Sequence, residues 1–494
     1  MNRILATIFI FISLYASAQA TFFNQYFSEN NIFMSGSAEL STGFVSAGVD
    51  RTADNPDRGV LTFVGKSGEL KDRILIDNHA SVCFTSIISL HDFIYVAGLV
   101  SEVGETNQKC LWKFDKQGKL IWEEPFGEPA TILHDNESPQ LCSTQNGILV
   151  ASSAFDQTFG TQASVTKFDL EGHLLWEKWF THEQNVLYND VFVKAAPSKD
   201  GTLLIMKSSY DPIPFLPNPE MVKWSISKID LNGSEIWRKQ TTDISFGALD
   251  IPDTENVLAG ISSTSENEVI AIYCSENKFG TSEQLILAYY DQNGELLNAV
   301  STLANRDIDL YDLAINQDDE LYVFGLDNTN FGTNSQLELL VAKLTKAGDL
   351  EWEHTYGYEN SSDLWSGGII ARDGGILTGG SKFRWSPPFG YDHFLVKTNC
   401  YGAIEPNQSC QLDTNLNLTI YPNPASSAFI IELPTDELLD IELMDLAGRR
   451  VAFYSQVSTY DGFEFAVPEV LAGQYQVRLM GGSQNWLGKL MVIK

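Results

Sequence analysis

An all-β fold is predicted by two observations. One phrase recurs along the chain: a short apolar strand, then Asp-x-x-Gly, then Trp a few residues on. It reads LWKFDKQGKLIWEEPFG from Leu111, VTKFDLEGHLLWEKWF from Val165, ISKIDLNGSEIWRKQ from Ile226 and LVAKLTKAGDLEWEHTYG from Leu340. The second observation is the length of the apolar segments, which alternate or run apolar over a few residues and then stop at Gly, Asn or Asp, as packed strands do.

The turn glycines give the period. Gly68, Gly118, Gly172, Gly233, Gly294, Gly348 and Gly402 are spaced by 50, 54, 61, 61, 54 and 54 residues, so seven copies of one unit are expected. Four short strands in a unit of that length indicate a β-propeller and not a helical solenoid. In the clearest unit the strands, A to D from the axis outward, are Asp312 to Asn316, Glu320 to Leu326, Leu339 to Thr345 and Leu350 to Tyr356. The C–D turn needs Gly for a positive φ, and its Asp can accept from the turn's own N–H groups.

Trp122, Trp176, Trp237 and Trp352 stand at one register, four residues past the turn Gly. Packing between neighbouring sheets is the reading adopted for them, ahead of ligand stacking. After Gly402 the seventh unit has no Trp strand, whereas the segment Phe22 to Phe27 aligns with the outer strand Trp176 to Phe180. Residues 21–28 are therefore expected to supply the outer strand of the seventh blade and close the ring, removing an exposed edge.

Ahead of that strand lie Arg3, an apolar run from Ile4 to Tyr15, and small residues at Ala16, Ala18 and Ala20. They read as a secretory signal peptide over residues 1–20, cut after Ala18 or Ala20. The propeller is expected over 21–410, a linker over 411–417, and a small Ig-like β-sandwich over 418–494, where short alternating strands are separated by Pro and Gly turns.

The formal net charge of −32 argues against nucleic acid and anionic lipid as partners. A monomer is expected. Six cysteines are too few for a disulfide scaffold. Cys400 and Cys410 are read as a local bridge, while Cys83, Cys110, Cys142 and Cys274 are read as strand residues.

Function is expected on the face carrying the B–C and D–A loops, because those vary from unit to unit on a constant scaffold. The seventh-blade loop offers Trp385, Phe389 and Tyr391 as an amphipathic aromatic surface. Asp50, Asp54, Asp57, Asp211, Glu220, Asp307 and Asp309 fall in or near these loops. Convergence of several could hold Ca2+, but no Ca2+ loop with the required spacing is present, and a solvated acidic face is the reading adopted. Trp385, Phe389, Tyr391, Asp54 and Asp57 are the candidate ligand-binding residues. No catalytic residue is assigned: the histidines are scattered, and neither a Gly-x-Ser-x-Gly nor a phosphate-cradling Gly loop occurs. Carboxylates drawn from different blades could still cleave a polysaccharide.

Four motifs in the last segment carry a resemblance. Tyr421-Pro422-Asn423-Pro424, Asp445-x-x-Gly448-Arg449, Leu471-x-Gly473-x-Tyr475 and a terminal Lys489-Leu-x-Val occur in order. They resemble the type A sorting domain of type IX secretion cargo in Bacteroidetes. That resemblance implies recognition by the type IX machinery, passage through the outer membrane, and release or surface attachment with loss of the domain. The Asp-x-x-Gly-x-x-x-Trp repeat also resembles the docking motif of quinoprotein propellers that bind pyrroloquinoline quinone. Those usually have eight blades, and three units here lack the full motif, so that likeness is architectural only. The leading expectation is a secreted or cell-surface propeller that binds a glycan or protein; the rival is a polysaccharide-active hydrolase or lyase on the same scaffold.

Overall fold

The computed structural model describes residues 23–27, 31–51, 56–102, 107–130, 139–144, 147–156, 160–180, 189–198, 200–210, 223–240, 255–276, 283–306, 308–316, 318–327, 338–356, 361–384, 390–404, 419–421, 423, 425–432, 438–445, 449–458, 463–466, 472–480 and 485–493. The expected signal peptide, the linker and Cys410 lie outside them. Among the described residues every helix or strand element is a strand.

Strand β1 is Phe23–Phe27. The first four-stranded sheet follows with β2 (Ile32–Leu40), β3 (Gly43–Asp50), β4 (Arg58–Gly65) and β5 (Leu70–Ile76). The second has β6 (Ser81–Leu90), β7 (Phe93–Ser101), β8 (Asn107–Phe114) and β9 (Leu120–Ala130). The third has β10 (Gln140–Thr144), β11 (Gly147–Asp156), β12 (Gly160–Phe168) and β13 (Leu174–Phe180). The fourth has β14 (Asn189–Pro197), β15 (Leu203–Tyr210), β16 (Lys223–Ile229) and β17 (Glu235–Gln240). The fifth has β18 (Glu255–Ser263), β19 (Val269–Glu276), β20 (Glu283–Tyr290) and β21 (Leu296–Arg306). The sixth has β22 (Ile308–Ile315), β23 (Leu321–Asp327), β24 (Glu338–Leu344) and β25 (Leu350–Tyr356). The last has β26 (Ser361–Ile370), β27 (Ile376–Arg384) and β28 (Gly390–Lys397), with β1 as its fourth strand.

All pairings in these sheets are antiparallel and consecutive except the last, where Phe23 pairs with Lys397 and Phe27 with His393. The first two strands after β1 show why the sheets stack: every residue of β3 is buried, and β2 alternates. A strand buried on both faces needs a neighbour on each side. The apolar clusters supply it, each lying between successive sheets. Tyr322, Phe324, Ile376 and Phe394 join the sixth sheet to the last, and Phe23, Phe27 and Leu395 join the last to Met34, Phe44 and Val64 of the first. This is a β-propeller.

The repeated motif makes the contact between sheets. Asp230 Oδ1 accepts from Asn232 N at 2.9 Å and from Ser234 N at 2.8 Å, which folds the turn and brings Gly233 to φ +80°. That glycine faces the indole of Trp176, so close that an added Cβ would lie 3.3 Å from the ring. Trp176 Nε1 donates to Leu231 O in the same turn at 2.9 Å. Trp122 meets Gly172 and Trp352 meets Gly402 in the same way. In the last sheet Phe23 takes the tryptophan's place: it lies against Gly68 of the first, and it pairs with Lys397 as Trp176 pairs with Lys167.

A second set of strands forms two sheets around one apolar core. One contains β29 (Thr419–Tyr421), β30 (Ala428–Glu432) and β33 (Phe463–Ala466). The other contains β32 (Arg450–Ser458), β31 (Leu438–Asp445), β34 (Gly473–Met480) and β35 (Asn485–Val492). Phe429, Ile431 and Phe465 of the first sheet pack on Ile441, Leu443, Val477 and Leu490 of the second, as a sandwich requires.

Candidate functional site

Two places on the propeller carry site geometry. One lies on the loop face, where the last sheet meets the first. Asn31, at φ +57°, accepts from Arg51 N through its carbonyl at 3.0 Å and from Tyr391 N through Oδ1 at 3.3 Å. These bonds fix the ends of two loops beside each other. Phe33 then meets Tyr391 edge-on, with centroids 5.7 Å apart, and Tyr391 lies 5.2 Å from Phe383. The guanidinium of Arg51 sits 5.6 Å above the Phe33 ring, and its Nε is 3.6 Å from Asp57 Oδ2. Arg51 and Asp57 remain partly accessible, at 46% and 36% of their side-chain surface.

Tyr391 and Asp57, singled out from the sequence, are thus brought together through Phe33 and Arg51. Trp385, Phe389 and Asp54 lie outside the described residues, as do Asp211, Glu220 and Asp307. Asp50 departs from the expected acidic surface: it is buried and ion-paired with Arg58, its partner across the β3–β4 ladder. A carboxylate at the buried end of a hairpin needs a cation, and Arg58 stands opposite by register. Phe33 had no sequence signal because its partner Tyr391 is far away along the chain.

The other place is on the axis. A cavity of about 460 Å3 is lined by residues from the inner strand of each propeller sheet described above, among them Ser37, Ser86, Cys142, Lys194, Ser262, Asp312 and Gly368. They stand in the middle and A–B-turn parts of those strands. Most inner strands are bulged, with register shifts between Met34 and Gly36, Phe84 and Ser86, and Leu310 and Asp312, for example. A bulge leaves one residue out of the ladder and re-aims its backbone. At the β22 bulge, Tyr311 O accepts from Lys194 Nζ, which reaches from the fourth sheet past the fifth and also meets Asp312 Oδ1 at 3.0 Å. Burial pushes the Cys142 thiol up to about 12, so it stays protonated and unreactive at neutral pH.

The expected disulfide lies partly outside the described residues at Cys410. Cys110 and Cys142 are buried thiols, as expected of strand residues. Among the described residues no group of three His, Cys, Asp or Glu side chains is placed to hold a metal ion.

In the C-terminal sandwich the motif residues have structural duties. Asn423 donates through Nδ2 to Lys489 O at 2.7 Å and accepts from Met491 N at Oδ1 at 2.7 Å, clasping one edge of the last strand through both its amide atoms. Asp445 accepts from Arg449 N at 2.9 Å and from Arg449 Nε at 2.7 Å, closing the β31–β32 turn. Gly473 and Tyr475 lie on β34, with Tyr475 in the core opposite Leu490. Pro422, Pro424 and Gly448 fall outside the described residues.

The family model described as "Secretion system C-terminal sorting domain" matches residues 419–494. The chain is type IX secretion cargo. Its sorting domain directs this cargo out of the cell, to a secreted or cell-surface-attached state. No curated protein matches the cargo chain. Solved structures similar to it include the β-propeller domain of the trilobed protease from Pyrococcus furiosus, at 10% identity and a TM-score of 0.44 over 77% of this chain and 98% of that one. An ulvan lyase of a new polysaccharide lyase family is similar at 9% identity and a TM-score of 0.48, over 77% and 97%. An α-L-arabinofuranosidase from Fusarium graminearum is similar at 9% identity and a TM-score of 0.38, over 61% and 93%. None of these likenesses bears on what the cargo binds or does.

Proposed function

We propose that the exported cargo is a glycan-binding protein whose ligand lies on the loop face of a closed, seven-bladed ring, beside the junction of its last and first blades. One observation carries this reading: the cluster of Phe33, Phe383 and Tyr391, with Arg51 and Asp57 at its accessible edge. Aromatic faces complement the C–H faces of sugar rings, and a guanidinium and a carboxylate beside them offer donors and acceptors to ring hydroxyls. Asp50 and Asp57 are each held by an arginine, which fits a recognition surface better than an acid–base pair awaiting a proton. Ring closure is supported by β1 in the last sheet and by two bonds between the last and first sheets. Met34 N donates to Ser381 Oγ at 2.7 Å, and Arg372 N to Glu39 Oε2 at 2.8 Å.

The test is affinity electrophoresis of the purified chain and its Tyr391→Ala and Arg51→Ala variants in gels cast with a panel of polysaccharides. Retardation of the parent by one polysaccharide, lost in both variants at unchanged melting temperature, is the expected result. Retardation unaffected by either variant would move the site elsewhere, and cleaved products would make the protein an enzyme. With no retardation by any polysaccharide, a surface protein becomes the ligand to look for.

A further inference from the structure

The axial cavity differs chemically from the loop face, and its wall separates into groups already committed and groups still free. Lys194 and Asp312 are committed to each other, and Lys194 also bonds the Tyr311 carbonyl. Asp312 Oδ1 accepts Leu313 N as well, at 3.0 Å. They are the only charged residues among the described lining, so the wall has no net formal charge. Ser86 accepts Leu141 N and keeps its own proton to donate.

By contrast, Ser37, Gln140, Ser143 and Ser262 make no side-chain hydrogen bond among the described residues, although all four line the cavity. The Ser37 hydroxyl is buried in the wall without a partner. A buried hydroxyl left unsatisfied costs free energy, and a serine has staggered wells through which to turn toward a ligand. These four groups come from the first, third and fifth sheets, so they approach one point from three sides. Aliphatic side chains such as Ile87, Ile261 and Leu313 fill the spaces between them.

We infer that the axial cavity is a second binding site, specific for one neutral sugar residue, either a free monosaccharide or the end of a glycan. Its volume of about 460 Å3 lies within the range of about 300–1,000 Å3 typical of small-molecule sites. Free hydroxyls and an amide that both donate and accept match sugar hydroxyls, and the aliphatic spacers match C–H faces. The internal ion pair leaves no unbalanced charge to select an anion or a cation. This site stands apart from the loop-face reading and survives its failure.

The experiment is isothermal titration of the purified chain with glucose, galactose, mannose and rhamnose, and with glucuronate and glucosamine for comparison. One neutral sugar should bind at one site. Ser37→Leu and Ser262→Leu, which fill the cavity, should each weaken it by about tenfold or more, and Ser143→Ala and Ser262→Ala, which only remove a hydroxyl, by about three- to tenfold. The alanine variants carry the test if the leucine variants do not fold. In the Tyr391→Ala chain, in which the loop-face cluster is disabled, binding at the cavity should persist and keep its sensitivity to the Ser143 and Ser262 substitutions. The inference is overturned if no neutral sugar binds, if glucuronate or glucosamine binds as tightly, if the cavity variants bind like the parent, or if Tyr391→Ala abolishes the heat.

Discussion

The indole Nε1 of Trp237, on the outer strand of the fourth sheet, donates to the carbonyl of Gln292 in the fifth-sheet turn at 2.8 Å. The same ring lies against Gly294, where an added Cβ would come within 2.8 Å of it. The third sheet on the fourth, through Trp176 and Gly233, and the fourth on the fifth, through Trp237 and Gly294, are thus each indexed by a ring, a glycine and one hydrogen bond.

Trp237→Ala should destabilise the propeller by about 3–5 kcal/mol, since it removes a large packed ring. Trp237→Phe keeps most of the apolar contact and loses the bond to Gln292, so about 1 kcal/mol of its loss belongs to that bond. Urea denaturation followed by tyrosine and tryptophan fluorescence measures both, and an unchanged midpoint in the alanine variant would remove the packing role.

Phe23 does the tryptophan's work on the first sheet, and Phe23→Ala should cost about 3 kcal/mol. Deleting residues 21–27 should do more, because β28 would become an unpaired edge and invite association between chains. Light scattering during refolding should rise for the deletion and stay low for the point variant.

His393 sets a pH dependence. Burial, followed by the charge of Arg73, lowers its pKa to about 3 from the ordinary 6.5, so the folded protein keeps the ring neutral, with Nε2 3.1 Å from Ser46 Oγ. The unfolded chain takes up a proton below 6.5 that the folded one refuses. Stability from this group is therefore complete above 6.5 and falls as the pH drops toward 3, by about 2 kcal/mol at pH 5. His393→Gln should flatten that part of the stability curve, as thermal melts from pH 7 to pH 4 would show; a parallel loss in both proteins would exclude His393 as the source.

Asn423 holds the first motif of the sorting domain to the last strand. Asn423→Ala should loosen that clasp by about 2 kcal/mol, two hydrogen bonds at about 1 kcal/mol each. The expected outcome is cargo retained inside the cell, measured by immunoblot of medium, surface and cell fractions. Undiminished export would show that the machinery does not read this geometry.

The sequence was most informative where chemistry repeats. The turn glycines, the Asp and Trp of the motif and the Phe-rich first strand, which pairs with β28, are local in sequence, and each keeps one duty in the structure. The site was legible only in part. Tyr391 and Asp57 stood out as loop residues, but Phe33, the ring that joins them, sits on a strand at the other end of the chain from Tyr391. The axial cavity was invisible because it depends on bulges in successive inner strands. A bulge displaces backbone by one residue and leaves no residue type behind it. Asp50 was misjudged for a similar reason, as its burial depends on Arg58 standing opposite across a hairpin.

The placement of β1 has a consequence for how the propeller fails. In an open stack of sheets the end units fray first, and damage spreads inward one unit at a time. In the closed ring proposed above no sheet is an end, so losing any one of them would break two interfaces together, and melting should be a single concerted event. The seam is held by a five-residue strand from the far terminus. Heat or a protease would therefore find its first opening there, at the latch and not at the blades.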